Sequence, residues 1–125
     1  MREIKFRAKD IASNKWLFGD LRHHKDDVCI FDQGGTKGEQ VKRETVGQFT
    51  GLRDINGKDI YEGDILDVNY ADEESRLEVR FVRGVFAFLW NGDLDDEFPC
   101  NAPTHEWAKV IGNIYDNPEL LNKEE

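Results

Sequence analysis

Apolar residues at every second position are the feature of this chain that most limits its fold. Near the start, Ile4, Phe6 and Ala8 alternate with charged residues, and further on Leu77, Val79 and a phenylalanine alternate with polar ones. A period of two is typical of strands that bury one face, whereas the period of an α-helix nowhere persists for three turns. The sequence therefore predicts a mainly β protein.

Turn residues divide these segments into short strands. A first turn is predicted at residues 11–15, and Arg83-Gly84 separates the two strands of the clearest hairpin. Asn56-Gly57 predicts a tight turn, because both residue types tolerate a positive φ. We expect a meander of short strands, arranged as a barrel, an SH3-like fold or a sandwich.

The chain should end in one helical turn. Asn117 is a favoured N-cap residue, and Pro118 suits the first helical position. With 125 residues the chain falls in the size range of one domain, and roughly two-thirds of the unfolded surface can be buried at that length. We expect a single β domain spanning residues 1–125, with two closely packed β subdomains divided near residue 50 as the alternative.

The charge balance favours a protein partner over a nucleic acid. Lys and Arg number 17 against 26 Asp and Glu, which gives a net charge of -9. Nucleic-acid affinity depends largely on cations that release condensed counterions, so this chain would need a segregated basic face. The cations available for one are Arg2, Lys5, Arg7, Lys9, Lys42, Arg43, Arg76, Arg80 and Arg83. We expect an unknown protein partner of basic character, or a second copy of the chain.

Cysteine usage and hydropathy predict a cytoplasmic protein. Cys29 and Cys100 lie far apart and outside any C-x-x-C arrangement, so they indicate neither a redox motif nor a zinc site, and free thiols are expected. The N-terminal residues lack the apolar core of a signal peptide, and no apolar run is long enough to span a bilayer. No membrane association and no cofactor are predicted.

One acidic segment raises the question of a metal. Asn91, Asp93 and Asp95 have the alternate spacing of the oxygen ligands in a calcium loop. The sixth position of such a loop requires glycine and is Asp96, and the twelfth requires a bidentate Glu and is Ala102. A solvated loop is therefore the preferred interpretation, and the acidic candidates for a metal site are Asp93, Asp95, Asp96 and Glu97.

No other combination of residues specifies a reaction. His23 and His24 are neighbours and would point to opposite faces of a strand, so a polar loop is preferred to a metal cluster, and His105 has no visible catalytic partner. Glu78 and Arg80 are interpreted as a cross-strand charge pair rather than part of a nuclease site. The tryptophans are expected mostly in the core and not on a stacking platform. No catalytic residue is predicted, and the enzymatic alternative is a metal-dependent hydrolase using Asp64, Asp67 and the acidic segment.

Three segments resemble a known family as whole phrases: residues 2–8, residues 44–65, which include the sequences VGQFTGL and NGKDIYEGDI, and residues 110–121, VIGNIYDNPELL. They resemble the YopX family of phages and prophages. The resemblance implies a mainly β fold with SH3-like or barrel-like parts, a gene on mobile elements of a bacterial host, and no established catalytic activity. The function expected is that of a phage or prophage accessory protein that is non-enzymatic and binds protein, with a hydrolase, a nucleic-acid adaptor and a DNA mimic as alternatives.

Overall fold

The structure, a computed structural model, describes residues 3–32, 35, 37–70, 73–99 and 103–121. The chain divides into two compact units, Met1–Phe49 and Thr50–Glu125, called here the first unit and the second unit. Every strand pair described is antiparallel, and the helices among the described residues are 3-10 turns of three or four residues. The predicted mainly β class is confirmed.

The first unit is a run of strands that pair in sequence order. Its strands are β1 (Phe6–Lys9), β2 (Trp16–His24), β3 (Asp27–Phe31) and β4 (Gly38–Gln40). A 3-10 turn at Arg43–Thr45 leads into β5 (Gly47–Arg53), whose first residues, Gly47 and Gln48, return to pair with β1. The predicted first turn is confirmed, because the Asp10 carboxylate accepts hydrogen bonds from the backbone N–H and the hydroxyl of Ser13.

One face of the first unit forms its core. The side chains that meet there alternate along the strands, as the period of two predicts. Thr45 closes the unit, since its hydroxyl accepts a hydrogen bond from the backbone N–H of Lys9 at 2.9 Å. The buried core residues are Ala8, Val28, Ile30 and Val41, with Phe6, Leu17, Leu21 and Val46 packed against them.

The second unit contains the remainder of β5 and six further strands. These are β6 (Asp59–Tyr61), β7 (Asp64–Tyr70), β8 (Glu73–Val82), β9 (Val85–Trp90), β10 (Glu97–Pro99) and β11 (Ala108–Asn113). Strands β7 to β11 form a sheet in the order β10-β9-β8-β7-β11. The predicted hairpin is β8–β9, and its two-residue turn places both Arg83 and Gly84 at positive φ.

The main core cluster of the second unit lies on one face of this sheet, and Ile65 and Leu89 are buried on the other face. Trp90 and Trp107 pack against the edge of this cluster, and the Trp107 ring meets Phe88 edge-on at 5.8 Å between centroids. Burial of these aromatic rings supplies much of the apolar area that stabilises a unit of this size. The buried members are Ile60, Leu66, Val68, Leu77, Val79, Phe88 and Ala108.

The structure corrects the predicted extent of the acidic segment. It is shorter than a loop that continues to residue 102, because residues 97–99 form β10 against β9. Three residues are too few to display an alternating pattern, so this edge strand was not visible in the sequence. The C-terminal helical turn is confirmed as a 3-10 helix at Pro118–Leu121.

Candidate functional site

The acidic candidates for a metal site lie around the β9–β10 connection. The Asp93 carboxylate accepts the backbone N–H of Asp95 at 2.9 Å, so one of its oxygens shapes the turn. Glu97 lies on β10 and pairs with the Arg83 guanidinium. Asp95 and Asp96 are exposed. Over the described residues, no three His, Cys, Asp or Glu side chains converge in a way that could hold a metal ion.

The two further carboxylates of the hydrolase alternative diverge. Asp64 and Asp67 are three residues apart on β7, which places them on opposite faces of the strand. The Asp64 carboxylate is buried and accepts the backbone N–H of Tyr61 at 2.7 Å. Asp67 lies opposite Arg76 of β8 and opposite Lys109 of β11 in the strand register. The two aspartates therefore occupy separate environments.

Glu78 and Arg80 form an ion pair, but within one strand and not across two. Both lie on β8, two residues apart on the same face, and Arg80 donates to Glu78 Oε2 from Nε at 2.8 Å and from Nη2 at 2.7 Å. Glu78 is almost fully buried. The buried charge of Glu78 is therefore compensated by an arginine of its own strand, and we interpret the pair as structural.

The histidines and the described cysteine do not form a cluster. His23 and His24 are exposed at the end of β2, in a strand rather than in the predicted polar loop. The Nε2 atom of His105 lies 3.6 Å from Oε2 of the neighbouring Glu106, and both side chains are exposed. Cys29 is a free, half-buried thiol on β3, and Cys100 lies outside the described residues.

Charge is distributed unequally between the two units. The first unit contains ten Lys and Arg against eight Asp and Glu, so its formal charge is +2. The second contains seven against eighteen, and its formal charge is -11. The net charge of the whole chain conceals this difference. The electrostatic argument against anionic partners therefore applies to the second unit and not to the first.

The first unit carries cations and aromatic rings on the face opposite its core. We call this the cation–aromatic face and define it by Lys5, Arg7 and Lys9 around β1, Trp16, Phe18, Asp20 and Arg22 on β2, and Phe31 on β3. Arg7 lies over the Trp16 ring at 4.6 Å and Lys9 at 5.5 Å, each measured to the ring centroid. Trp16 thus lies outside the core, whereas Trp90 and Trp107 pack against the core of the second unit, as expected for most of the tryptophans.

A second stack lies further along this face. The Arg22 guanidinium carbon is 4.1 Å from the centroid of the Phe31 ring. A Cβ on Gly38 of β4 would come within 2.5 Å of that ring, so the absence of a side chain there lets the ring lie flat on the sheet. Phe18, between the two stacks, is 55% exposed. The alternation of Lys5, Arg7 and Lys9 was the sequence signal for this face, whereas its aromatic members become apparent only from the strand register.

An exposed aromatic pair lies at the end of the β8–β9 hairpin. Phe81 is 49% exposed, although the residues before it on the same face of β8 are core. Its ring meets Phe86 edge-on, with 5.1 Å between centroids. Val85, beside the turn, is also exposed. The hairpin therefore carries apolar surface beyond the part that the core buries.

Comparisons with known proteins agree with this architecture. The family model described as YopX protein matches residues 5–122. The chain belongs to the YopX family. Among solved structures it is similar to protein EF1440 from Enterococcus faecalis, at 26% identity and a TM-score of 0.60, with 98% of this chain and 100% of that chain covered. It is also similar to yopX from Bacillus subtilis, at 20% identity and a TM-score of 0.61 over the full length of both chains. No match was found among curated proteins.

The segments in which the sequence resembles the YopX family are mainly turn structures in this chain. Asp54 is 2% exposed; its Oδ1 accepts the backbone N–H of Asn56 and of Lys58, and its Oδ2 accepts that of Val110, all at 2.8 to 2.9 Å. Burial raises the pKa of this carboxyl, but the three N–H donors and the nearby Lys58 outweigh burial and hold the pKa below its ordinary value. The carboxylate is therefore structural.

The glycines and asparagines of the YopX phrases act in the same way. Gly51, Gly57 and Gly63 adopt positive φ, and in the predicted Asn56-Gly57 turn the glycine does so while Asn56 does not. The closing phrase folds back on itself: Asn113 Oδ1 accepts the N–H groups of Tyr115 and Asp116, and Asn117 Oδ1 accepts that of Asn113. These residues cover the outer edge of β11 and do not form a reactive site.

Proposed function

We propose that this YopX-family chain is a phage- or prophage-encoded accessory protein of the bacterial cytoplasm, non-enzymatic, that acts by binding a protein with a basic surface. The observation that carries the proposal is the formal charge of -11 on the second unit. Charge of one sign speeds encounter with an oppositely charged partner and disfavours partners of the same sign.

The described carboxylates of the second unit fall into two groups. The buried ones, Asp54, Asp64 and Glu78, are bound to backbone N–H groups or to Arg80. The exposed ones include Asp93, Asp95, Asp96, Glu106, Asp116 and Glu119. Since the buried group is used in the fold, the exposed group is what a partner meets.

The hairpin end supplies an anchor for such a partner. Exposed Phe81, braced by Phe86, is the kind of rigid aromatic side chain that dominates protein–protein affinity when a partner buries it. The exposed acids of this unit and the exposed aromatic ring fit a partner that carries both lysine or arginine and an apolar pocket.

The test is capture of a partner by immobilised protein at increasing salt. Wild type should retain a basic host protein that elutes as NaCl is raised from about 50 to about 500 mM, where surface charges are screened. D95N/D96N should lower the salt needed for elution, and F81A should lower retention at all salt concentrations. The proposal would be refuted if neither variant changed the retention of any captured protein. If duplex DNA displaces the partner, the protein acts as a DNA mimic.

Two measurements on the pure protein separate the remaining alternatives. Calorimetric titration with Mg²⁺, Mn²⁺ and Ca²⁺ should give no saturable heat; a saturable heat lost in D95N/D96N would favour the metal-dependent hydrolase. Light scattering during gel filtration reports self-association, which would make a second copy the partner. Neither experiment relies on a membrane, and no described helix is long or apolar enough to cross one.

A further inference from the structure

We propose that the cation–aromatic face of the first unit binds single-stranded nucleic acid. This inference concerns a different unit from the proposed protein-binding surface and does not depend on it. It rests on three features of that face: the exposed ring of Phe18, the stacks on either side of Phe18, and the formal charge of the unit.

The two stacks hold flat groups in fixed orientations on the sheet. Trp16 is held by Arg7 and Lys9, which are themselves buried and so fix the ring. At the other stack Gly38 gives the Phe31 ring space to lie flat, and the exposed Arg22 lies over it. Bases stack on aromatic rings and on guanidinium planes, at a gain of about 1–3 kcal/mol per base.

Spacing on the sheet suits successive bases. Phe18 lies on β2 two residues from Asp20, which is opposite Phe31 of β3, so the two phenylalanines are diagonal neighbours on one face. Diagonal positions in a sheet are about 7–8 Å apart. A single strand laid across β2 and β3 could therefore place one base on Phe18 and the next near the Arg22–Phe31 stack.

The charges select the class of ligand. Each described ring stack on this face already includes a cation, so a lysine- or arginine-rich peptide would be repelled, while a polyanion with flat bases gains from both groups. Asp20 is the exposed acid between Phe18 and Arg22 on β2 and opposes an anionic ligand. The negative charges of the second unit are largely screened at distances beyond about 8 Å at physiological ionic strength.

The experiment is fluorescence anisotropy with the full chain and labelled oligo(dT) and oligo(rU) of about 12 nucleotides, a length within the usual site size. Wild type should bind saturably at about 50 mM NaCl and more weakly at about 200 mM. F18A should weaken binding at least about fivefold, because one stacked base is lost. R22A should weaken oligonucleotide binding, and D20N should strengthen it.

Matched controls come from the second unit. F81A removes an aromatic ring of similar exposure, K109A an exposed cation and D95N an exposed acid, and all three should leave oligonucleotide affinity within about twofold of wild type. Circular dichroism of F18A, which alters a residue outside the core, checks that the fold is retained.

Three results would overturn the inference: no saturable binding of either oligonucleotide at low salt, equal affinity of F18A and wild type, or a labelled poly-glutamate peptide that binds as tightly as the oligonucleotides. The last would show a site for acidic peptides without base stacking. Because F81A should affect only the protein partner and F18A only the oligonucleotide, failure here is distinguishable from failure of the proposed function.

Discussion

At Asp54 three backbone N–H groups converge on one carboxylate, which both closes the turn at residues 54–58 and joins it to β11. A neutral amide has one acceptor oxygen in place of two and presents an NH₂ group to the remaining donor. D54N should therefore lower the free energy of unfolding by about 2 kcal/mol at neutral pH, measured by urea denaturation. D95N, at an exposed carboxylate, is the matched control and should change it by less than about 0.5 kcal/mol.

The same carboxylate predicts a pH dependence. Its pKa in the folded protein is lowered, so its contribution to stability is complete above the ordinary value of about 4 and is lost as the pH falls through the lower folded value. The stability difference between wild type and D54N should therefore be constant from pH 7 to about 5 and shrink below about pH 4. Urea denaturation at each pH measures it. A difference that stays constant down to pH 3 would contradict this assignment.

At the scale of elements, one asparagine joins the end of β11 to the closing turn. Asn117 Oδ1 accepts the backbone N–H of Asn113, and a Cβ on Gly112 would come within 2.5 Å of that oxygen. G112A should displace the Asn117 side chain and lower the free energy of unfolding by about 1–3 kcal/mol, because it leaves the N–H unpaired. N117A should have a similar effect through the same bond.

A double-mutant cycle tests this shared cause. If both substitutions act through one hydrogen bond, G112A should cost less in the N117A background than in wild type, with a coupling of at least about 0.5 kcal/mol. Strictly additive effects would mean that Gly112 is required for another reason.

Strand order was more predictable than surface function. The β8–β9 hairpin followed from long alternating runs and the Arg83-Gly84 turn, and both features are local. Short strands such as β4 and β10 were not predicted, because three residues carry no period and their pairing depends on the neighbouring strand. The structural use of Asp54 depends on Val110, 56 residues away, and so required the fold.

The candidate surfaces show the same limit. The charges and rings were all visible in the sequence, but which of them share a face depends on register. The tryptophans were expected mostly in the core, and the sequence did not single out Trp16 as the exception: Leu17 and Leu21 occupy the core face of β2 and leave Trp16 on the other. Similarly, a net charge of -9 discouraged a nucleic-acid partner, because a single sum hides a first unit of +2.

At the scale of the whole molecule, the segregated charge has a cost in stability. Three arginines of the second unit are paired, as Arg53–Asp59, Arg80–Glu78 and Arg83–Glu97, yet acids still outnumber bases there by eleven. Like charges on a compact surface repel each other, and the repulsion weakens as salt screens it. Salt also weakens exposed ion pairs, but each of those contributes less than about 1 kcal/mol.

Repulsion should therefore dominate the response to salt. We expect the Tm, measured by circular dichroism at neutral pH, to rise by about 3 °C between about 20 and 200 mM NaCl. D95N/D96N removes two of the exposed acids, so its Tm should be higher at low salt and should rise less as salt is added. K58A and K109A make the unit more negative, so the Tm of each variant should rise more than that of wild type as salt is added. A wild-type Tm that falls with added salt would mean that the ion pairs outweigh the repulsion. The acidic surface would then be internally balanced and not available to a basic partner.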